Sequence, residues 1–261
     1  MGRALHACLL LTALVAPTVP LHAADDPPAP AARSTTQVRS HPDFWFGRPR
    51  GFLGVRSSWI FQRAGSDLFD FVQRHLTLED GAFDSPAFNV DLGVAITPRI
   101  DAVVGLETAG RTSASEYRDF VDNRLRPIEQ RTTLRTTAVT GSVRVALTPR
   151  GRAISRLAWV PRRVFAFAGA GGGAAYYRFN QTGSFVDFVD RSVFDDVFES
   201  QGWAPSAHAF GGADIQVFRK LFVTVEGRYT WASGTLSTDF IGFDPIDLSG
   251  FRLSGGINVV F

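Results

Sequence analysis

The last eleven residues alternate between two kinds of side chain. One set is Phe251, Leu253, Gly255, Ile257, Val259 and Phe261, and the other is Arg252, Ser254, Gly256, Asn258 and Val260. Successive side chains of a strand point to opposite faces, so this segment has one apolar face and one largely polar face. A strand of this kind fits a barrel wall that separates lipid from a polar interior.

Seven further segments show a similar alternation. The eight predicted strands are 51–62, 87–97, 101–109, 133–148, 164–177, 204–217, 221–233 and 249–261. The connections after the second and sixth segments are short, whereas those after the first, third, fifth and seventh are long. Short periplasmic turns and long extracellular loops are typical of outer-membrane barrels. The sequence therefore predicts an all-β fold, an eight-stranded antiparallel transmembrane β-barrel over residues 51–261.

Four stretches leave alternatives open. Residues 149–163 fit either an amphipathic piece on the membrane surface or an ordinary basic loop with a buried Trp159. The first and third long loops carry apolar residues at helical spacing, which predicts short helices over the barrel mouth. These fit either a lid or entry for an apolar ligand, or loop residues that pack on the rim or contact lipopolysaccharide acyl chains. These residues are Leu68, Phe71 and Val72, and Phe194, Val197 and Phe198. In the fifth segment, Phe165 and Phe167 share one side, but which side faces inward is open.

The amino terminus has the pattern of a signal peptide. Residues 1–23 combine Arg3, an apolar stretch over 9–15 and a small-residue cleavage site ending at Ala23. Residues 24–50 are rich in Pro, Ala and charge at their start, which predicts a disordered periplasmic segment. Within it, Phe44, Trp45 and Phe46 fit either an interfacial anchor or packing under the barrel. The formal net charge of +2 gives no global attraction to nucleic acid.

The signal peptide, the stretch Glu226-Gly227-Arg228-Tyr229 and residues 249–261 resemble the outer-membrane protein β-barrel domain family, whose small members include barrels like OmpA, OmpX and OmpW. The resemblance implies a Gram-negative outer membrane and a role in membrane structure, adhesion or small-molecule passage. It implies outer-membrane lipid, lipopolysaccharide and the barrel assembly machinery as partners, and no cofactor. It also implies that Phe251 and Phe261 belong to the assembly signal.

Eight charged residues fall on the predicted inner face. They are Arg56, Asp91, Glu107, Arg144, Asp214, Glu226, Arg228 and Arg252, four acids and four bases. Unpaired charges are costly in a narrow interior, and eight strands enclose a bore that side chains can fill. We therefore expect a structural network of ion pairs in a closed lumen. The alternative is a narrow ion path that opens when Glu226, Arg228 and Arg252 rearrange.

No catalytic or metal site is predicted. The glycine-rich stretch 168–174 continues as a strand where a nucleotide site needs a helix, so glycine there fits sharp curvature or a close approach of another side chain. His75, His208 and Ser206 lack the spacing of a catalytic triad. We expect a structural or interaction protein that is not an enzyme. The alternatives are a narrow channel for small or hydrophobic solutes and an outer-membrane lipid-modifying enzyme.

Overall fold

Eight long strands close into an antiparallel ring, which confirms the predicted barrel. The computed structural model describes residues 44–79, 81–155 and 158–261. Each strand pairs with the next along the chain, and the last pairs with the first, so the barrel sheet has no open edge. The strands are β1 (Gly51–Gln62), β2 (Ser85–Ala95), β3 (Ile100–Val121), β4 (Pro127–Ala146), β5 (Val164–Val186), β6 (Val193–Gln216), β7 (Leu221–Gly234) and β8 (Gly250–Val260).

The two ends of the barrel differ in the connections that they carry. At the turn end lie residues 96–99, 147–155, 158–163 and 217–220 together with residue 50 and Phe261. At the loop end lie residues 63–79, 81–84, 122–126, 187–192 and 235–249. The central strands β3 to β6 are longer than predicted, because two of the expected long loops continue as paired strands beyond the barrel wall.

The two predicted loop helices have different outcomes. In the first loop, α1 (Asp67–His75) confirms the expected helix and buries Leu68, Phe69 and Val72. The helix expected around Phe194, Val197 and Phe198 is wrong, because these residues belong to β6. Their backbone pairs with β5, and the rings of Phe194 and Phe185 stack at 6.0 Å. Within the described ranges, no helix has the length and hydropathy to cross a bilayer.

The turn end has a small sheet of its own. Short strands at Gly151–Ala153 and Ala158–Pro161 form a hairpin, and Trp45–Phe46 pairs with the second of them. The prediction of an amphipathic piece on the membrane surface is therefore wrong for this connection. The alternative prediction, a loop with a buried Trp159, is confirmed.

The end of the predicted disordered segment also needs correction. Trp45 is paired and buried, because its ring packs under the barrel on Trp159 at 5.1 Å. The predicted signal peptide and residues 24–43 lie outside the described residues.

The apolar core sits at both ends of the interior. The loop-end plug combines buried side chains of α1 with inward residues of the barrel, including Leu134, Tyr177 and Phe179. The turn-end plug consists of Trp45, Trp159, Phe165 and Phe222. Inward placement of Phe165 and Phe167 also settles the facing of β5. The polar interior lies between these two plugs.

Candidate functional site

The interior between the plugs brings together all eight charged residues that the alternation placed on the inner face. Seven of them are buried, and the side chain of Glu107 is 20% exposed. The ion pairs join Arg56 to Asp91 and Glu226, Arg228 to Glu226, Arg144 to Asp214, and Arg252 to Glu107. Each acid therefore faces at least one base.

Glu226 is the centre of one group of charges. Arg228 lies two residues along β7, and its Nη2 is 2.9 Å from Glu226 Oε1. Arg56 reaches from β1, with Nη1 3.4 Å from Glu226 Oε2, and also pairs with Asp91 on β2. Asn89 Nδ2 donates to Asp91 Oδ2 at 2.9 Å. Because buried charges are tolerated only when paired and hydrogen-bonded, this group stabilises one arrangement of three strands.

Asp214 is the centre of the second group, nearer the turn end. It pairs with Arg144 and accepts a hydrogen bond from Thr224 Oγ1 at 2.6 Å. Asn258 Nδ2 donates to Thr224 Oγ1 at 2.7 Å. The Arg144 guanidinium carbon lies 3.6 Å from the centroid of the Phe167 ring. Such a stacked arginine is held by its ion pair and by the aromatic face.

Sequence reasoning missed a further ion pair near the turn end. Arg150 donates through Nη1 and Nη2 to the two carboxylate oxygens of Asp101, at 2.8 and 2.6 Å. Asp101 continues the inward alternation of β3, a signal that the sequence contained. Arg150 lies in the connection 147–163, for which neither the amphipathic reading nor the basic-loop reading placed its side chain inside the barrel. Asn89, Thr224 and Asn258 were visible as polar positions but were not included in the network.

His75 and His208, the two histidines in the described part of the chain, lie apart from each other. His208 is buried in the interior, with Nε2 2.8 Å from Ser142 Oγ. His75 lies at the loop end, where its ring centroid is 4.5 Å from that of Phe71 and 5.0 Å from that of Phe188. Ser206 Oγ is buried without a hydrogen-bond partner. In the part of the chain that the structure describes, no group of three His, Cys or acidic residues could hold a metal ion.

Side chains leave little free volume in the interior. One cavity of about 60 Å³ is lined by Glu107, His208, Arg228 and Arg252 among others. Another of about 30 Å³ lies beside Arg144 at the turn-end plug. These volumes admit water molecules, whereas pockets for drug-sized ligands measure about 300–1,000 Å³. Neither cavity is large enough for a drug-sized ligand.

The outer surface of the barrel is an apolar belt with aromatic rings at both borders. On β8 the outward residues run from Phe251 at the loop end to Phe261 at the turn end, and Leu253, Ile257 and Val259 between them are exposed. The ten steps span about 33 Å along a strand. At the tilt of about 40° found in such barrels, this corresponds to about 25 Å along the axis, the height of the apolar band of a transmembrane barrel.

Similar solved structures are small outer-membrane β-barrels, the class that the sequence resembles. Neisserial surface protein A is 13% identical, with 84% of this chain and 97% of that chain covered and a TM-score of 0.43. Outer membrane protein OprG from Pseudomonas aeruginosa is 10% identical, with 83% and 98% covered and a TM-score of 0.41. The N-terminal β-barrel domain of Pseudomonas aeruginosa OprF is 9% identical, with 82% and 100% covered and a TM-score of 0.37.

No protein-family model and no curated protein matches the chain. At these identities and TM-scores, the similar structures carry no argument about function. What the protein does has to be inferred from its own interior and surface.

Proposed function

We propose that the chain is an integral outer-membrane β-barrel protein with a closed lumen and a structural or interaction role. The observation that carries this proposal is the double closure of the bore, by apolar plugs at both ends with paired charges between them. The loop end faces outward, and the turn end, where residue 50 and Phe261 meet, faces the periplasm, following the rule that long connections are extracellular. Catalysis is not part of the proposal.

The exterior supports the membrane location. Exposed residues of the belt include Leu92, Val104, Leu106, Val139 and Val143. Contact between water and a contiguous apolar surface of this kind is unfavourable. Lipid is the solvent that such a surface fits, and a closed sheet satisfies its backbone hydrogen bonds within the wall. Outer-membrane lipid, lipopolysaccharide and the barrel assembly machinery are the partners that this location entails.

Electrical recording in planar bilayers tests the closed lumen. Protein that shows heat-modifiable mobility in an outer-membrane fraction is expected to give no conductance steps. A second variant replaces α1 and its flanks with a Gly-Ser linker, which removes the helical part of the loop-end plug. It too is expected to stay closed, because the ion pairs and the turn-end plug remain. Steady steps in the wild type that Arg228→Gln abolishes would establish the narrow-channel alternative instead.

The enzyme alternative has a separate test. Lipid A profiles of cells with and without the protein are expected to be the same. A modified acyl or phosphate pattern that disappears on replacing His75 or His208 would contradict the non-catalytic role.

A pocket at the loop end favours a second candidate function, the binding of a small apolar solute. Its volume is about 190 Å³, and its lining includes the rings of Phe71, Phe185, Phe188, Phe198 and Phe243. An apolar cavity of about 150 Å³ is enough to hold benzene. A fluorescent apolar probe should bind wild type and lose affinity in Phe198→Ala, with Phe61→Ala on the outer belt as the control. Equal binding by both variants would remove this candidate.

A further inference from the structure

The outward face of β4 and β5 carries a small group of arginines just beyond the loop-end border of the belt. Arg135 on β4 is the direct cross-strand partner of Arg178 on β5. Directly opposed side chains on one face of an antiparallel pair have Cβ atoms about 4.5–5.5 Å apart, and like charges in that position repel. Both arginines are exposed to the surroundings of the barrel. The fold therefore places two cations side by side where an anion would relieve their repulsion.

The nearby acids neutralise this group only in part. Arg178 Nε is 3.1 Å from Glu199 Oε1, and the Arg178 side chain remains 53% exposed. Arg178 also donates to Gln201 Oε1 at 3.0 Å through Nη2. Arg131, four residues beyond Arg135 on the same face, adds a third positive charge. Arg135 and Arg178 against Glu199 leave one positive charge in excess, whereas Arg131 lies two residues from Glu129, which opposes Glu116 on β3.

The position of the arginine pair indicates the kind of anion. Two residues nearer the belt, Tyr176 on β5 faces Trp203 on β6, with ring centroids 5.4 Å apart. Exposed Tyr and Trp rings mark the level of the lipid headgroups in membrane proteins. The arginine pair lies about 7 Å farther along the strands, just outside the hydrocarbon border. Phosphate groups of membrane lipids lie at this depth.

Another arginine at the same level shows what distinguishes the pair. Arg63 lies two residues beyond Phe61, whose ring stacks with Phe251 at the same border. Its Nε is 3.9 Å from Asp247 Oδ2, so a carboxylate balances its charge. Arg135 and Arg178 share one acid between them. The two positions have the same depth and a different charge balance.

We propose that Arg135 and Arg178, with Arg131 nearby, form a binding site for the phosphate group of an outer-leaflet glycolipid. Guanidinium groups bind phosphate through paired, charge-assisted hydrogen bonds, and two of them on adjacent strands clasp one phosphate. The site fixes the headgroup against the wall of the β4–β5 hairpin. This inference rests on the proposed outer-membrane location.

The test measures lipid retention by protein refolded into phosphatidylcholine nanodiscs that contain diphosphorylated lipid A. Native mass spectrometry counts the lipid A molecules that leave the disc with the protein. The variant Arg135→Gln with Arg178→Gln is expected to retain lipid A about tenfold more weakly, because it loses charge-assisted hydrogen bonds to the phosphate. The Lys versions of both positions keep the charge and are expected to retain more lipid than the Gln versions.

Arg63→Gln is the matched control, because it removes one arginine at the same depth and should leave retention unchanged. Dephosphorylated lipid A should be retained equally by all variants, and millimolar inorganic phosphate should not displace the phosphorylated lipid. Equal retention by wild type and the double Gln variant would overturn the site, and full displacement by inorganic phosphate would assign it to a soluble anion. Heat-modifiable mobility of each protein reports separately whether a barrel has formed. A protein that forms no barrel would contradict the proposed function, whereas a folded barrel without selective lipid A retention would contradict only the phosphate site.

Discussion

Arg144 and Asp214 form an ion pair across the barrel interior, with both side chains almost completely buried. The two residues come from β4 and β6, strands that are separated by β5. Their ion pair therefore connects two strands that are not neighbours in the sheet. Phe167 of the intervening strand lies under the guanidinium. The pair therefore fixes the relative height of three strands as well as neutralising two charges.

Replacing Asp214 with Ala should destabilise the barrel strongly. Arg144 would remain buried without its partner, and breaking a buried pair in this way costs about 3–5 kcal/mol. The expected result is a lower midpoint of urea-induced unfolding in detergent micelles. Asp119→Ala, at an exposed position of the β3 extension, should leave the midpoint unchanged.

The same pair allows a sharper comparison. Arg144→Met combined with Asp214→Leu removes both charges and should be less destabilised than Asp214→Ala alone, because no unpaired charge remains. A double variant as unstable as the single one would mean that packing, and not charge, explains the loss.

Phe69 is expected to hold α1 in the barrel mouth. It is fully buried, and its ring lies 4.6 Å from that of Phe83 and 6.1 Å from that of Phe179. Phe69→Ala should cost the loop-end plug about 3–5 kcal/mol and expose residues 63–84, while the strands stay paired. Trypsin should then cleave after Arg74 in protein that keeps its heat-modifiable mobility. Phe188→Ala, at a half-exposed ring, should remain as resistant as wild type.

The glycine stretch in β5 allows two backbones to approach closely. A Cβ on Gly171 would meet the carbonyl oxygen of Gly141 and the Cα of Ser142 on β4. By contrast, a Cβ on Gly141 would meet nothing within 4 Å. Gly171→Ala should therefore slow assembly and lower the unfolding midpoint, and Gly141→Ala should do neither. Refolding followed on unboiled gels measures both; equal behaviour of the two variants would show that the wall can relax.

The strands and the inner charges could be predicted because both depend on one short-range regularity. A period of two fixes the face of every residue in a strand, so Arg56, Asp91, Glu226 and Arg252 were assigned without any knowledge of their partners. Which acid meets which base depends on the register and tilt of the closed ring. The alternation of residues in the sequence specifies neither the register nor the tilt.

Other parts of the fold required tertiary information. Phe194, Val197 and Phe198 fit a helical spacing and also fit a strand, and pairing with β5 decided between them. Trp45 and Arg150 lie in segments without periodicity, so only their packing at the turn end reveals that one fills the plug and the other pairs with Asp101. Short apolar runs and irregular connections carry too little pattern to fix their structure.

Phe261 joins the end of the chain to its first strand, and its removal should impair assembly. Its carbonyl oxygen accepts hydrogen bonds from the backbone N–H groups of Arg50 and Gly51 at 2.7 and 3.1 Å. Its own N–H donates to the carbonyl oxygen of Gly51 at 3.0 Å. The ring is 55% exposed on the outer surface at the turn end. Deletion of Phe261 removes the ring and these hydrogen bonds at the seam, whereas Phe261→Ala removes the ring alone.

On unboiled gels, the deletion should leave less protein in the folded, fast-migrating form than Phe261→Ala does. Both should be more impaired than His75→Ala, because that side chain packs on loop rings far from the seam. Normal folding of the deletion in cells would contradict a role of Phe261 in assembly. Impairment in cells combined with normal refolding in detergent would assign that role to recognition by the assembly machinery, since the seam would then close without the residue.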